Sequence, residues 1–379
     1  MKFTALKNDF IRKANFVAKV IPSSEGASLN SLCFEAKSDE VIIRGMGDYG
    51  FLTARIPAII EEEGKCRIWG KRLLEVLSKY RTLAFDEIKV VSGEEKIRLS
   101  TGKTGCNVGI LSEEGDFDLA MEYHFTSPCV YTIKGNSKSL QEELKKTVSF
   151  SSEDRRNTDW YGVFFVIDEN KDLHLISSDR MGLAHLKSNL NTLNDEPNIH
   201  FLLPTDAIST IIKILDEPSS DEEVVIEIGE NDVFRFQWGD YRCSFRILSP
   251  DFFPNWKKIQ PGSKKFHFLA EDLSKALSVV NLYAHPDYKA IKIDIEENKM
   301  TLSSKDNYGD ASNDFEIPNV LGYAAAFWLN VSFLQTFLGI VDGEVTMVCE
   351  GNTDPVFLYP IANPNECYTL KPLQMQTDE

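Results

Sequence analysis

A short strand, a polar break and an amphipathic helix recur along this chain at domain-sized intervals, and that recurrence restricts the fold more than any single motif does. The copies are "FTALKNDFIRKANFVAKVI" from Phe3, "YTIKGNSKSLQEELKKTVSF" from Tyr131 and "FHFLAEDLSKALSVVNLY" from Phe266, at intervals of 128 and 135 residues. A second set lies between them, "CRIWGKRLLEVLSKYRTL" from Cys66, "IHFLLPTDAISTIIKILDEP" from Ile199 and "AFWLNVSFLQTFLGIV" from Ala326, at intervals of 133 and 127. One half-unit is thus used six times.

The helices are read from their period. Phe10, Ala14, Val17 and Ile21, then Leu140, Leu144 and Val148, then Ile208, Ile211, Ile212 and Leu215, each form a single apolar stripe. Alternating runs such as "EIKVVSGEEKIRLSTGKTGCNVGIL" and "EEVVIEIGENDVFRFQWGDYRCSFRIL" follow, with Ser92–Gly93 and Gly229–Glu230 at turns, which predicts antiparallel meanders covered by a helix. Since 379 residues exceed what one core organises, the expectation is an α+β chain of three similar domains, 1–126, 127–262 and 263–379, the last with a short tail. "FRILSPDFFPNWKKIQP" (245–261) falls at the second boundary, where Pro250, Pro254 and Pro261 suit a joint, because proline cannot sustain a central ladder.

Catalytic and metal chemistry find little support. "STGKTG" (100–105) lacks the glycine five residues before Gly102, where Ile97 stands, and reads as a turn. The tripeptide "HPD" (285–287) is read as chance. Six histidines show no metal-ligand spacing, no G-x-S-x-G is present, and Glu61–Glu63 and Asp221–Glu223 read as solvated loop charge. Seven scattered cysteines without a C-x-x-C pair argue for reduced thiols. No apolar run is long enough to span a membrane, and the amino terminus lacks the apolar core of a secretory signal, so a cytoplasmic chain without cofactors is expected.

The net charge of −17 would repel a nucleic acid if spread evenly. The first three repeat helices reverse it: Lys7, Arg12, Lys13 and Lys19; Lys71, Arg72, Lys79 and Arg81; and Lys138, Lys145 and Lys146 stand against only Asp9, Glu75, Glu142 and Glu143. Such concentration suits a surface that tracks phosphates without reading sequence. Arg155, Arg156, Lys213 and Lys275 are counted with them as candidate DNA-facing cations.

Over essentially its whole length the chain resembles the bacterial β sliding clamp family, the processivity subunit of the replicative DNA polymerase. The similarity rests on "MKFT" at the start, "HLISSDRMGLAHL" (174–186), "FRILSPDFFPNWKKIQP" and "YTLKPLQ" (368–374), in register with the threefold repeat. The resemblance implies a head-to-tail homodimer closing a six-domain ring, with helices inside around duplex DNA and antiparallel sheets outside. It also implies docking of the polymerase, the clamp loader and other proteins through a short peptide. Carried over by position, that peptide pocket comprises Trp160, Ser178, Arg180, Met181, Gly182, Leu183, Pro254, Lys258, Ile259, Pro355, Thr369, Leu370, Pro372 and Leu373. The chain departs from the family at Arg180–Met181–Gly182, where Gly-His-Arg is usual, around Leu29–Asn30–Ser31–Leu32, and in the extension Gln376–Glu379. Two other readings stay open: a clamp-like peptide scaffold or accessory copy not loaded on DNA, and an enzyme on an unrelated repeated α+β fold.

Overall fold

The structure is a computed structural model and describes residues 1–21, 31–47, 50–111, 123–193, 199–217, 222–230, 232–248, 256–285, 287–318, 322–351 and 353–374. Leu29, Asn30, Asp221, Pro250, Pro254, Pro286 and Gln376–Glu379 lie outside the described residues.

All six expected strand–helix pairs are present, and each helix begins directly after its strand. The first stretch runs β1 (Lys2–Leu6), α1 (Lys7–Val17), β2 (Ser31–Lys37), β3 (Glu40–Gly47), β4 (Gly50–Glu62), β5 (Gly64–Trp69), α2 (Gly70–Tyr80), β6 (Glu87–Ser92), β7 (Lys96–Thr101) and β8 (Thr104–Gly109). The second runs β9 (Cys129–Asn136), α3 (Ser137–Val148), β10 (Gly162–Ile167), β11 (Leu173–Ser178), β12 (Gly182–Lys187), a short β13 (Asn191–Thr192), β14 (Ile199–Pro204), α4 (Thr205–Leu215), β15 (Glu223–Gly229), β16 (Val233–Trp238) and β17 (Tyr241–Arg246). The third runs β18 (Lys264–Leu269), α5 (Ala270–Val280), β19 (Ala290–Glu296), β20 (Lys299–Lys305), β21 (Asp310–Glu316), β22 (Ala325–Asn330), α6 (Val331–Leu338), β23 (Glu344–Cys349), β24 (Val356–Pro360) and β25 (Glu366–Leu370).

Local chemistry explains these boundaries. Asn136 Oδ1 accepts the amides of Lys138 and Ser139 at 3.0 and 3.2 Å, and Asn330 Oδ1 accepts that of Ser332 at 2.8 Å, so both asparagines cap helix starts. Helix α1 buries Phe10, Ala14 and Val17, and α5 buries Leu273, Ala276, Leu277 and Val280. Each of the larger side chains among these contributes about 1.5–3 kcal/mol of transfer free energy when fully buried. "STGKTG" is a hairpin between β7 and β8, with Gly102 at φ +55°. Glu61 lies within strand β4 rather than in a loop, and it bridges Lys2 at 2.5 Å and Lys89 at 2.7 Å.

Two compact units result, one from residues 1–139, 190–194 and 209–247, the other from 140–189, 195–208 and 248–379. The first holds a 13-stranded sheet; Phe10 stacks on Phe34 in its core, centroids 5.7 Å apart. The second holds an eight-stranded and a four-stranded sheet, with Phe150 and Phe337 packed on the buried Tyr368 at 5.5 and 5.3 Å.

Strand pairing repeats with the sequence. With the two-residue β13 set aside, in every stretch the first strand pairs with the sixth (β1·β6, β9·β15, β18·β23), and the second with the fifth (β2·β5, β10·β14, β19·β22). The fourth strand of the first stretch joins the last strand of the second, with Gly50↔Phe245, Leu52↔Cys243 and Ala54↔Tyr241. The fourth strand of the second joins the last of the third in equivalent register, with Gly182↔Leu370, Ala184↔Tyr368 and Leu186↔Glu366. Strands β8 and β21, the remaining last and fourth strands, are edges of their sheets.

Candidate functional site

Two of the predicted DNA-facing cations are corrected by burial. Lys7 is 3 % exposed and donates to the carbonyl of Leu83; Lys13 is 2 % exposed and donates to the carbonyl of Arg55 at 2.6 Å and to Asp240 at 2.7 Å, with Asp9 at 3.1 Å. An ammonium enclosed in this way holds helix α1 to its own unit and offers nothing to a phosphate. Arg12 is also engaged, by Asp9 and, at 3.3 Å, by Glu217.

The other cations differ in how available they are. Lys146 pairs with the buried Glu366 at 2.6 Å, Arg155 with Asp206 at 3.0 Å, Arg156 with Asp154 at 2.8 Å, Lys275 with Glu271 at 2.6 Å, and Arg72 with Glu75 at 2.5 Å. Lys19, Lys71, Lys79, Arg81, Lys138, Lys145 and Lys213 are exposed. Asn8, Arg12, Asn15, Lys19, Ser78 and Arg81, with Ile11, Phe16 and Glu217, line a cavity of about 750 Å³ beside α1 and the end of α2.

The predicted peptide residues meet where β12 joins β25. Leu183 lies opposite Thr369 and Gly182 opposite Leu370, while the carbonyl of Met181 accepts the amide of Lys371 at 2.8 Å. Leu183, Ile259 and Thr369 share a cavity of about 500 Å³. Trp160, Ser178, Arg180, Met181, Lys258, Pro355, Leu370, Pro372 and Leu373 are not among the residues that line it, and Pro254 lies outside the described residues. Leu183 also belongs to a buried cluster with Phe164, Ile176 and Leu202, on which Trp256 and Ile259 pack. A charge at Leu183 would therefore test stability before binding, and Ile259, only partly buried, is the cleaner probe.

Sequence reasoning missed the other wall of this cavity, which includes His174, His185, Trp256 and Tyr359. His174 Nε2 lies 3.3 Å from Asp168 Oδ2, and His174 Nδ1 lies 3.0 Å from His185 Nε2. The rings of His185 and Trp256 are 4.2 Å apart. Burial, together with His174 and Lys257 nearby, pushes the His185 imidazole down to about 4, so it is neutral at pH 7. Burial works to raise the Asp168 carboxyl, but the backbone amides of Asp172 and Asn170 and the His174 ring outweigh it and hold it below its ordinary value. The register Ser178↔Leu183 places His174 diagonal to His185 on one sheet face, a signal present in the turn length of "SSDRMGL".

That turn is built by side chains. Ser178 Oγ donates to the carbonyl of Gly182 at 2.7 Å, and Asp179 Oδ1 accepts the amides of Met181 and Gly182 at 3.0 and 2.9 Å. Arg180 sits at its tip with φ +82°, and its guanidinium lies 5.7 Å from the Trp160 ring. A left-handed non-glycine residue is strained, and most so when β-branched. Arg180→Ile is therefore expected to destabilise the protein by about 2 kcal/mol, and Arg180→Gly to change stability by less than about 0.5 kcal/mol, because relief of strain and loss of the ring contact offset each other. Urea denaturation checks both; equal losses for the two variants would show that the side chain, not the backbone, governs the turn.

Among the described residues no helix is long and apolar enough to cross a membrane, and no group of three or more His, Cys, Asp or Glu is placed to hold a metal ion.

The chain is similar to known proteins in sequence and in fold. The family described as the DNA polymerase III beta subunit, N-terminal domain, matches residues 1–120. A beta sliding clamp from Buchnera aphidicola subsp. Rhopalosiphum padi is 24 % identical over 289 residues, 74 % of each chain, and one from Synechococcus elongatus is 22 % identical over 247 residues, 64 % of this chain and 65 % of that one. Among solved structures, the DNA polymerase III subunit beta of Pseudomonas aeruginosa superposes with a TM-score of 0.86 at 17 % identity, covering 99 % of this chain and 100 % of that one. The corresponding Thermotoga maritima subunit gives 0.85 at 19 % identity, with the same coverage.

Proposed function

We infer that this chain belongs to the β sliding clamp family of DNA polymerase III and acts as a processivity clamp, a tether that keeps a replicative polymerase on duplex DNA. We read it as a homodimeric ring with no catalytic role of its own, working in the cytoplasm, its exposed lysines and arginines toward DNA and its sheets outward. Three similar domains per chain, 1–126, 127–262 and 263–379, fit the threefold repeat of the strand pairings.

One observation carries the ring. The junction between the fourth strand of one repeat and the last strand of the next is made twice within the chain, by β4·β17 and β12·β25, and its third copy is left open at β21 and β8. Exposed edges invite pairing, and a second chain supplies both missing partners head to tail. The register follows by equivalence. Gly50 and Gly182 face Phe245 and Leu370, whose counterpart on β8 is the buried Val108, so Gly309 should face Val108 of the partner and Ala311 should face Cys106.

Two measurements test this. The purified protein should run as a dimer at micromolar concentration, and Ala311→Cys should form an intermolecular disulfide with the native Cys106 under mild oxidation, since directly opposed residues in antiparallel strands lie within disulfide reach. Asp310→Cys, on the opposite sheet face from Cys106, should not. A compact monomer without the A311C cross-link would remove the ring. Retention on nicked circular but not linear DNA separates a loaded clamp from a scaffold that only binds peptides, and binding of Gln-x-x-Leu-Phe peptides that Ile259→Asp abolishes would establish the cleft at Leu183, Ile259 and Thr369.

A further inference from the structure

We propose that the His185 face of the 500 Å³ cavity is a hydrogen-bond-accepting subsite that takes a tyrosine side chain of the partner peptide in preference to phenylalanine. The proposal rests on the peptide-cleft reading, since the cavity is continuous with that cleft through Leu183, Ile259 and Thr369.

The argument runs through two rings from one carboxylate. Asp168 Oδ1 accepts the amides of Asn170 at 2.9 Å and Asp172 at 3.0 Å, which leaves Oδ2 for His174. An ionised carboxylate only accepts, so His174 carries its proton on Nε2 and, in the neutral ring, presents a bare Nδ1. That nitrogen faces His185 Nε2 at 3.0 Å, so His185 must donate there and its own Nδ1 is left as a lone pair. Among the described residues this Nδ1 has no partner, and it is not one of the buried polar atoms left unpaired, so it opens to solvent on the cavity side.

The surroundings favour a flat ring that bears a donor. Trp256, Phe357 and Tyr359 supply aromatic walls and Leu183 and Ile259 aliphatic ones. A phenylalanine would fill the same space but leave the His185 acceptor shut away from water without a partner, whereas a tyrosine hydroxyl satisfies it.

The test is calorimetric titration of the full chain with two synthetic peptides, Gln-Ser-Ser-Leu-Tyr and Gln-Ser-Ser-Leu-Phe. Wild type is expected to bind the tyrosine peptide roughly five- to tenfold more tightly. His185→Phe keeps the wall and removes the nitrogen, so the two affinities should become equal or favour phenylalanine. Asp168→Asn acts at a distance. The two backbone amides hold its carbonyl oxygen, so its NH₂ points at His174, both imidazole tautomers reverse, and His185 Nδ1 becomes a donor facing the cavity. The tyrosine hydroxyl then has to accept from Nδ1–H instead of donating to it, so the tyrosine preference should persist in weakened form. A long-range ¹⁵N–¹H spectrum of the free protein should show His185 Nδ1 unprotonated in wild type and protonated in Asp168→Asn, which a merely structural role for Asp168 would not produce. Equal wild-type affinities, or a tyrosine preference that survives His185→Phe, would overturn the subsite while leaving the cleft standing. Failure of wild type to bind either peptide would overturn the cleft and the subsite with it.

Discussion

Replacing Lys19, Lys79, Arg81, Lys138 and Lys213 together by glutamate is expected to reduce the amount of protein held on nicked circular DNA by at least about tenfold near physiological salt, and to flatten its dependence on salt concentration. These side chains are exposed. Each phosphate contact releases a condensed counterion, so each cation lost removes close to one unit from the slope of log affinity against log salt. Dimer and thermal unfolding should be unaffected, because exposed charges contribute little to stability. Unchanged retention of the fivefold variant, measured with the same loader and DNA, would show that these are ordinary solvent-facing residues.

Lys13→Ala should do the reverse, lowering stability by about 2–3 kcal/mol in urea denaturation while leaving DNA retention of the folded fraction intact. Its ammonium is enclosed by the Arg55 carbonyl, Asp240 and Asp9. Removing one partner of a buried charged cluster leaves the others short of hydrogen bonds, and three methylenes of packing go with it. The loss falls below the extreme for such clusters because Asp240 is 55 % exposed and Asp9 keeps Arg12. A variant with unchanged stability and weakened DNA retention would return Lys13 to the DNA-facing set.

The contrast between these substitutions shows what was legible in the sequence. Helix period and strand alternation located all six strand–helix units, because an apolar stripe of Phe10, Ala14 and Val17 must be buried wherever the helix lies. The same stripe carried an overlooked signal. Lys7 stands three residues before Phe10, and Lys13 three after it and four before Val17, so both fall on the buried face rather than the polar one. Their charge favoured a solvent position, and the pairing that overrides that preference uses Asp240, 227 residues away in sequence. No local pattern reports such a contact. The peptide-cleft residues were reached by resemblance, which could not supply His174, His185 and Trp256, because the hydrogen-bond chain among them depends on hairpin register and on a segment arriving from residue 256.

The twice-made strand junction has a consequence for concentration. At β4·β17 and β12·β25 the partners are joined by one covalent chain, so each meets the other at an effective concentration on the order of millimolar, however dilute the solution. In the proposed ring the β21·β8 junction has the same geometry but no tether, and only there does mass action apply. Dilution therefore acts on one class of junction out of three: the chain keeps its two internal seams at nanomolar concentration and opens at the third. Whatever closes the ring around DNA at low copy number has to hold two free ends together long enough to do the work that the backbone does elsewhere.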